Sequence, residues 1–219
     1  MVPQWLHQLS VASLMIAALS SVIVLSDVLR HPQRMAVMNV TWPITALYFG
    51  PLGLWAYFAF GRTLHVKLPD EKPFWQSVFI GTTHCGGGCT IGDVLAEWGV
   101  VSLGITIAGA TIWPEYIADY ALAYLFGIAF QYFAIVPMRK LKPIEGIVAA
   151  IKADTLSLTA FEVGMFAWMA LTYFVLFRPH LKLNMPAYWF MMQIAMIVGF
   201  VTSFPMNWWL IKKGLKEAM

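Results

Sequence analysis

Charge is the scarcest property of this 219-residue chain. Asp, Glu, Lys and Arg make up 11% of it, less than half of the roughly one quarter usual in soluble domains. That excludes an ordinary soluble globular domain. The net charge of +3 comes without any dense basic run, which leaves nucleic-acid binding without an electrostatic footprint. Cysteine is limited to Cys85 and Cys89, too few to infer a disulfide framework. Only His84 of the five histidines falls inside an apolar run, so paired-histidine haem ligation within the chain is excluded and no haem is expected. No internal repeat is visible, which counts against inverted-repeat transporter designs. No residue is assigned a catalytic role.

What is abundant is apolar length. Hydrophobic residues make up 60% of the sequence, and several runs reach the roughly 20 residues that cross a hydrocarbon core of about 30 Å. The reading is one all-α integral-membrane domain over residues 1–219, a polytopic helix bundle of about six spans embedded in a lipid bilayer. The spans fall near 9–29, 36–61, 74–112, 117–138, 144–177 and 186–211. The first is too long for a signal-peptide core and ends in Asp27 and Arg30 rather than at a cleavage site, so it is read as retained. The third is too long for one straight crossing, and Gly86-Gly87-Gly88 is the expected break.

Lys and Arg counts favour a bacterial inner membrane with both termini cytoplasmic. That arrangement puts Arg62, Lys67, Lys72, Arg139, Lys140, Lys142, Lys212, Lys213 and Lys216 inside, and Arg30, Arg34, Arg178 and Lys182 outside. Arg30 and Arg34 fit it poorly. Pro43 and Gly50-Pro51 leave a re-entrant second segment open.

Three groups of polar or sulfur-bearing residues lie inside apolar runs, where such groups are costly. The first is His84-Cys85-Gly86-Gly87-Gly88-Cys89 with Asp93 and Glu97. A helix restarting after the glycines would place Cys89 at its N-terminus, where thiolate is favoured. Cys89, Asp93 and Glu97 would then share a face. Two thiolates and an imidazole suit Cu(I), or alternatively Zn(II). The same glycines also suit close helix packing with cysteine as a small apolar residue, and a loop would let the two cysteines bridge.

The second group is Asp154 and Glu162, on one face of the fifth span, with Lys152 placed to neutralise an acid or reach the interface. They read as proton-coupling groups or as neutral hydrogen-bonded acids. The third is Met192 and Met196, one turn apart, which are thioether ligands for Cu(I) or core filler. Gln193 beside them reads as a support behind the ligands or as a helix-to-helix hydrogen bond.

Trp42-Pro43, Leu47-Tyr48-Phe49-Gly50-Pro51, the His84–Cys89 stretch with Gly92-Asp93, Lys152-Ala153-Asp154-Thr155-Leu156-Ser157 and the tail from Met192 through Asn207-Trp208-Trp209-Leu210-Ile211 together resemble a bacterial membrane family. It is the domain of unknown function four-three-nine-six (DUF4396). The resemblance implies that the cysteine stretch, Asp154 and the Met-Gln tail act as one unit, without implying an activity.

The expectation is an inner-membrane protein binding a soft metal, copper foremost, for transport or for delivery to a membrane metalloenzyme. His84, Cys85, Cys89, Met192 and Met196 would be its ligands. Asp93, Glu97, Asp154, Glu162 and Gln193 would act behind them or in proton coupling. Two alternatives stay open: a non-catalytic subunit or assembly factor of a larger complex, and a thiol–disulfide redox protein.

Overall fold

The computed structural model describes residues 2–62 and 73–217. Lys67 and Lys72 lie outside the described residues. The chain is all-α, with no strand among the described residues beyond an isolated bridge between Ile107 and Ala110. The helices are α1 Gln4–Arg30, α2 Met38–Phe49, α3 Pro51–Ala56 with a π-helical turn Tyr57–Gly61, α4 Phe74–Leu103, α5 Ile112–Arg139, α6 Pro143–Leu171 with a π-helical turn Thr172–Leu176, and α7 Pro186–Lys212. Proline at the first position starts α3, α6 and α7, where its missing N–H costs nothing and its fixed φ suits a helix. Gly104, at φ +64°, closes α4 in the left-handed conformation.

Among the described residues, four helices are long and apolar enough to cross a membrane: Gln4–Arg30, Ile112–Pro137, Pro143–Leu176 and Pro186–Lys212. Six such crossings were expected. The shortfall has two causes, the second segment and α4.

The second segment is a helical hairpin. Gly50, at φ +57° and ψ −130°, turns the chain between α2 and α3. After it Gly53 packs on Ala46 and Thr45, Tyr57 meets the Trp42 ring at 5.5 Å, and Gly61 lies against Trp42. The hairpin ends where it began, because Arg62 bonds Asp27 in the last turn of α1 at 2.8 and 2.7 Å.

The other helices alternate. Antiparallel pairing of α4 with α5 follows from Gly88 on Gly127 and Gly92 on Ala123. Tyr120–Thr159 and Tyr124–Thr155 hydrogen bonds do the same for α5 and α6. Thr202–Ala160 and Ser203–Ser157 bonds pair α7 antiparallel to α6. Helix α1 runs parallel to α7, with Ser13 donating to Gln193 at 2.9 Å.

The bundle therefore has two distinct ends. One holds the chain start, which shares a groove with Phe177–Leu181. The other holds Arg34, Arg62, Lys140, Lys142 and the C-terminal turn, where Phe74 packs on Trp208 at 4.7 Å. The start of α1 and the end of α7 thus lie at opposite ends of the bundle.

The expected break in the third span is also absent. Helix α4 runs unbroken through Gly86–Gly88. The glycines cost helix propensity, but they let three neighbours approach the backbone. A Cβ at Gly87 would lie 2.7 Å from the Thr41 side chain, one at Gly86 3.0 Å from the Tyr48 hydroxyl, and one at Gly88 3.0 Å from the Gly127 Cα. One at Gly92 would collide with the Ala123 backbone. Helix α4 is thus the buried axis of the bundle, wrapped by α2, α5, α6 and α7. An enclosed position explains its lower apolarity, since its polar side chains face the neighbouring helices.

Candidate functional site

A continuous α4 changes what the cysteine stretch can do. Cys89 sits in mid-helix, so it has no helix N-terminus beside it. His84 and Cys85 are neighbours on one helix and point about 100° apart. The His84 ring turns toward α5, 6.2 Å from Phe130, and both its nitrogens lack a hydrogen-bond partner. Cys85 faces α6, where Ser157 Oγ lies 3.3 Å from its sulfur. Cys89, one turn on, faces Glu162. Both cysteines are free and buried.

The methionines come from α7 and lie beside Tyr48. Met196 Sδ accepts a bond from Thr90 at 3.4 Å, and Met192 and Met196 line an apolar cavity of about 280 Å³ with Leu14, Leu47, Tyr48 and Thr90. Gln193 is not part of the polar interior. Its amide bonds Leu47 O at 2.9 Å and accepts from Ser13, tying α7 to α2 and α1. No three His, Cys, Asp or Glu side chains among the described residues are arranged to hold a metal ion. Of the expected ligands, His84 turns to α5 while Cys85 and Cys89 face α6, and Cys85, Cys89, Met192 and Met196 share one core cluster.

Two polar constructions occupy the bundle interior. Toward the C-terminal end, Gly214 at φ +68° turns the chain back after α7. This carries Lys216 into the core, where its Nζ lies 2.7 Å from Asp154 Oδ1 and 3.1 Å from Ser157 Oγ, all three side chains being buried. Lys216, not the exposed Lys152, is the partner of Asp154. Burial alone would push the Lys216 ammonium down. The Asp154 carboxylate beside it more than offsets that, and its pKa lies above the ordinary lysine value. Ser203 and Asn207 continue the network, Ser203 donating to Ser157 O at 2.8 Å and Asn207 to Ser203 Oγ at 2.9 Å.

Toward the opposite end five carboxyl groups converge. Asp93 and Glu97 come from α4, Glu115 and Asp119 from α5, and Glu162 from α6. Antiparallel packing at the Gly92–Ala123 contact sets the two i, i+4 acid pairs against each other. Asp93 faces Glu162, Asp119 and Glu97, and Glu97 faces Glu115. All five are buried and none is in an ion pair among the described residues. Both oxygens of Asp93 and of Glu162, and one each of Glu97 and Asp119, lack a hydrogen-bond partner. Buried carboxyl groups so arranged need protons or cations to balance them.

The column opens outward at Glu115 and Tyr188. Both line a small void of about 20 Å³ shared with Glu97 and Tyr116, room for about one water. Both also line a vestibule of about 640 Å³ walled by Trp98, His180 and Lys182.

Residues 74–216 match the domain of unknown function DUF4396. The chain belongs to this family. No curated protein and no solved structure matches it. The DUF4396 match covers both interior constructions, from Cys85 on α4 to Lys216 at its end, and leaves α1 and the hairpin outside it.

Of the residues singled out in the sequence, Asp93, Glu97 and Glu162 lie in the acidic column, and Asp154 lies with Cys85 at the other end. The sequence reading missed Glu115, Asp119, Ser157 and Lys216. Glu115 and Asp119 stand one turn apart in an otherwise apolar helix, the same signal that singled out Asp93 and Glu97. Gln131, fully buried with neither amide atom bonded, was missed as well.

Proposed function

We propose that this chain is a polytopic membrane protein that passes a small cation, in the first place the proton, along the carboxylate column of α4, α5 and α6. The observation that carries this reading is the set of bare carboxyl oxygens on Asp93, Glu97, Asp119 and Glu162, buried between three helices and reached from an open vestibule. Intramembrane carboxyl groups are expensive, and their use in proton and ion pathways is the recurrent reason for keeping them.

The membrane placement belongs to the same proposal. Helices α1, α4, α5, α6 and α7 cross, and the α2–α3 hairpin enters and leaves on one side. The C-terminal end of the bundle gathers Arg30, Arg34, Arg62, Arg139, Lys140, Lys142, Lys212 and Lys213, against Arg178 and Lys182 at the other. The positive-inside rule then makes the C-terminal end cytoplasmic in a bacterial inner membrane and the chain start external. Arg30 and Arg34 no longer stand apart.

A second reading keeps soft-metal transport or delivery, with Cu(I) as the substrate. It is favoured by Cys85, Cys89, Met192 and Met196 lying in one contiguous core cluster. Purified full-length protein in liposomes distinguishes the two. An imposed potential should drive proton uptake, read with an enclosed pH dye, that is lost in Asp93→Asn and in Glu162→Gln. Uptake no faster than in empty liposomes refutes the proton reading. Copper uptake lost in Cys85→Ser and Cys89→Ser would establish the second.

A further inference from the structure

The Lys216 ammonium is not packed against a surface acid. It is carried back into the bundle by a glycine turn and lodged in a buried seat. Asp154 Oδ1 and Ser157 Oγ bond it at 2.7 and 3.1 Å, and the Cys85 sulfur stands 3.3 Å from the same Ser157 hydroxyl. The second carboxylate oxygen, Asp154 Oδ2, is buried without a partner, and Gly127 leaves it room: a Cβ there would lie 3.2 Å away. Ser203 and Asn207 hold Ser157 from α7. The other titratable groups facing the seat are His84 and Cys85 of α4, with Cys89 one turn beyond.

We propose that this seat is a binding site for a free monovalent cation of ammonium or potassium size, and that Lys216 is its tethered competitor. One formal negative charge and a hydroxyl balance one positive charge. Divalent ions ask for more anionic oxygens, at about 2.0–2.6 Å, whereas the seat holds its present occupant at ammonium hydrogen-bond distances. Lys216 follows the end of α7 by one turn of chain, and the neighbouring Glu217 pairs with Arg139. When Lys216 lifts, Asp154 is left charged and buried. A free cation then takes the vacated place. The proposal extends the cation-path reading to the opposite end of α4 and rests on it for its role, but the site is testable without any transport.

The test is thermal unfolding of the full chain in detergent, in chloride salts of ammonium, potassium, magnesium or N-methylglucamine at constant ionic strength. Lys216→Met should unfold at lower temperature in N-methylglucamine and recover in ammonium or potassium, with half-saturation at about tenfold lower concentration than for magnesium. Wild type should respond equally to all four salts, and so should Asp154→Asn/Lys216→Met, which has neither charge. The proposal is overturned if Lys216→Met responds like wild type. It is equally overturned if Lys216→Met folds in none of the salts while the double variant folds, because the seat then accepts no free ion. Loss of proton flux in the liposome assay would leave either result unchanged, so the two readings fail separately.

Discussion

The guanidinium of Arg62 holds the Asp27 carboxylate through two bonds, 2.8 and 2.7 Å long, while Tyr57 donates to the same carboxylate at 2.7 Å. A charge-assisted fork of this kind fixes position as well as energy. It ties the exit of the α2–α3 hairpin to the last turn of α1, so the second apolar segment returns to the end of the bundle at which it began.

Topology is therefore the first prediction. In a Cys85→Ser/Cys89→Ser background, single cysteines at the exposed positions Arg34 and Lys213 should react with an impermeant maleimide from one side of the membrane. Cysteines at Gln4 and Asn184 should react from the other. Gln4 and Lys213 reacting from the same side would restore an even number of crossings and remove the hairpin.

The α4 crossing makes a sharper prediction about glycine. At Gly92 a methyl group meets the Ala123 backbone, which cannot rotate away, whereas a methyl group at Gly99 would have nothing within 4 Å. Gly92→Ala should lose about 1–3 kcal/mol, the usual cost of overpacking. Gly99→Ala should be neutral or gain up to about 1 kcal/mol of helix propensity. Unfolding in detergent compares them, and equal effects would mean that α4 and α5 are not in close contact there.

How far the sequence could be read follows from these same residues. Apolar length found the helices, and the cost of intramembrane charge found Asp93, Glu97, Asp154 and Glu162. What it could not weigh was tertiary contact against propensity. Three consecutive glycines disfavour a helix in isolation, yet Thr41, Tyr48 and Gly127 fill the space that they leave, and α4 stays whole. The hairpin was visible in Pro43 and Gly50-Pro51 only as an ambiguity, which the Asp27–Arg62 pairing resolves. Lys216 was counted as a surface charge because its burial depends on a turn after α7, beyond the reach of periodicity.

Continuity of α4 also sets the chemistry of the cysteines. Residues four apart on a regular helix are stacked a turn apart, and their side chains leave the axis in nearly the same direction, too far separated at Cβ for an unstrained disulfide, which needs about 3.5–4.5 Å. After mild oxidation and alkylation under denaturing conditions, mass analysis should count both Cys85 and Cys89 as free thiols. An intramolecular bridge would mean that the helix opens at the glycines.

Lys216 gives a pH dependence with a definite sign. Its pKa in the folded chain lies above the ordinary 10.5 because Asp154 outweighs burial. The stability it contributes is fully present below the unfolded value and is lost as pH rises through the higher folded value. Wild type should therefore hold its unfolding temperature relative to Asp154→Asn/Lys216→Met from neutral pH to about 10 and lose the difference only in stronger alkali. A difference that disappears near neutrality would show that the pair is not charged.

The carboxylate column makes the last prediction, which separates function from stability. Asp93 and Glu162 each keep two oxygens without a partner in a fully buried setting, an arrangement that burdens the fold rather than supporting it. Replacing either by its amide removes the charge, keeps the shape and adds donors that can bond a neighbouring carboxyl oxygen. Asp93→Asn and Glu162→Gln should thus unfold at the same temperature as wild type or higher, while proton uptake in liposomes falls by at least about tenfold, a barrier change of roughly 1.4 kcal/mol. A fall in uptake accompanied by an equal loss of folded protein would mean that these acids hold the helices together and carry nothing.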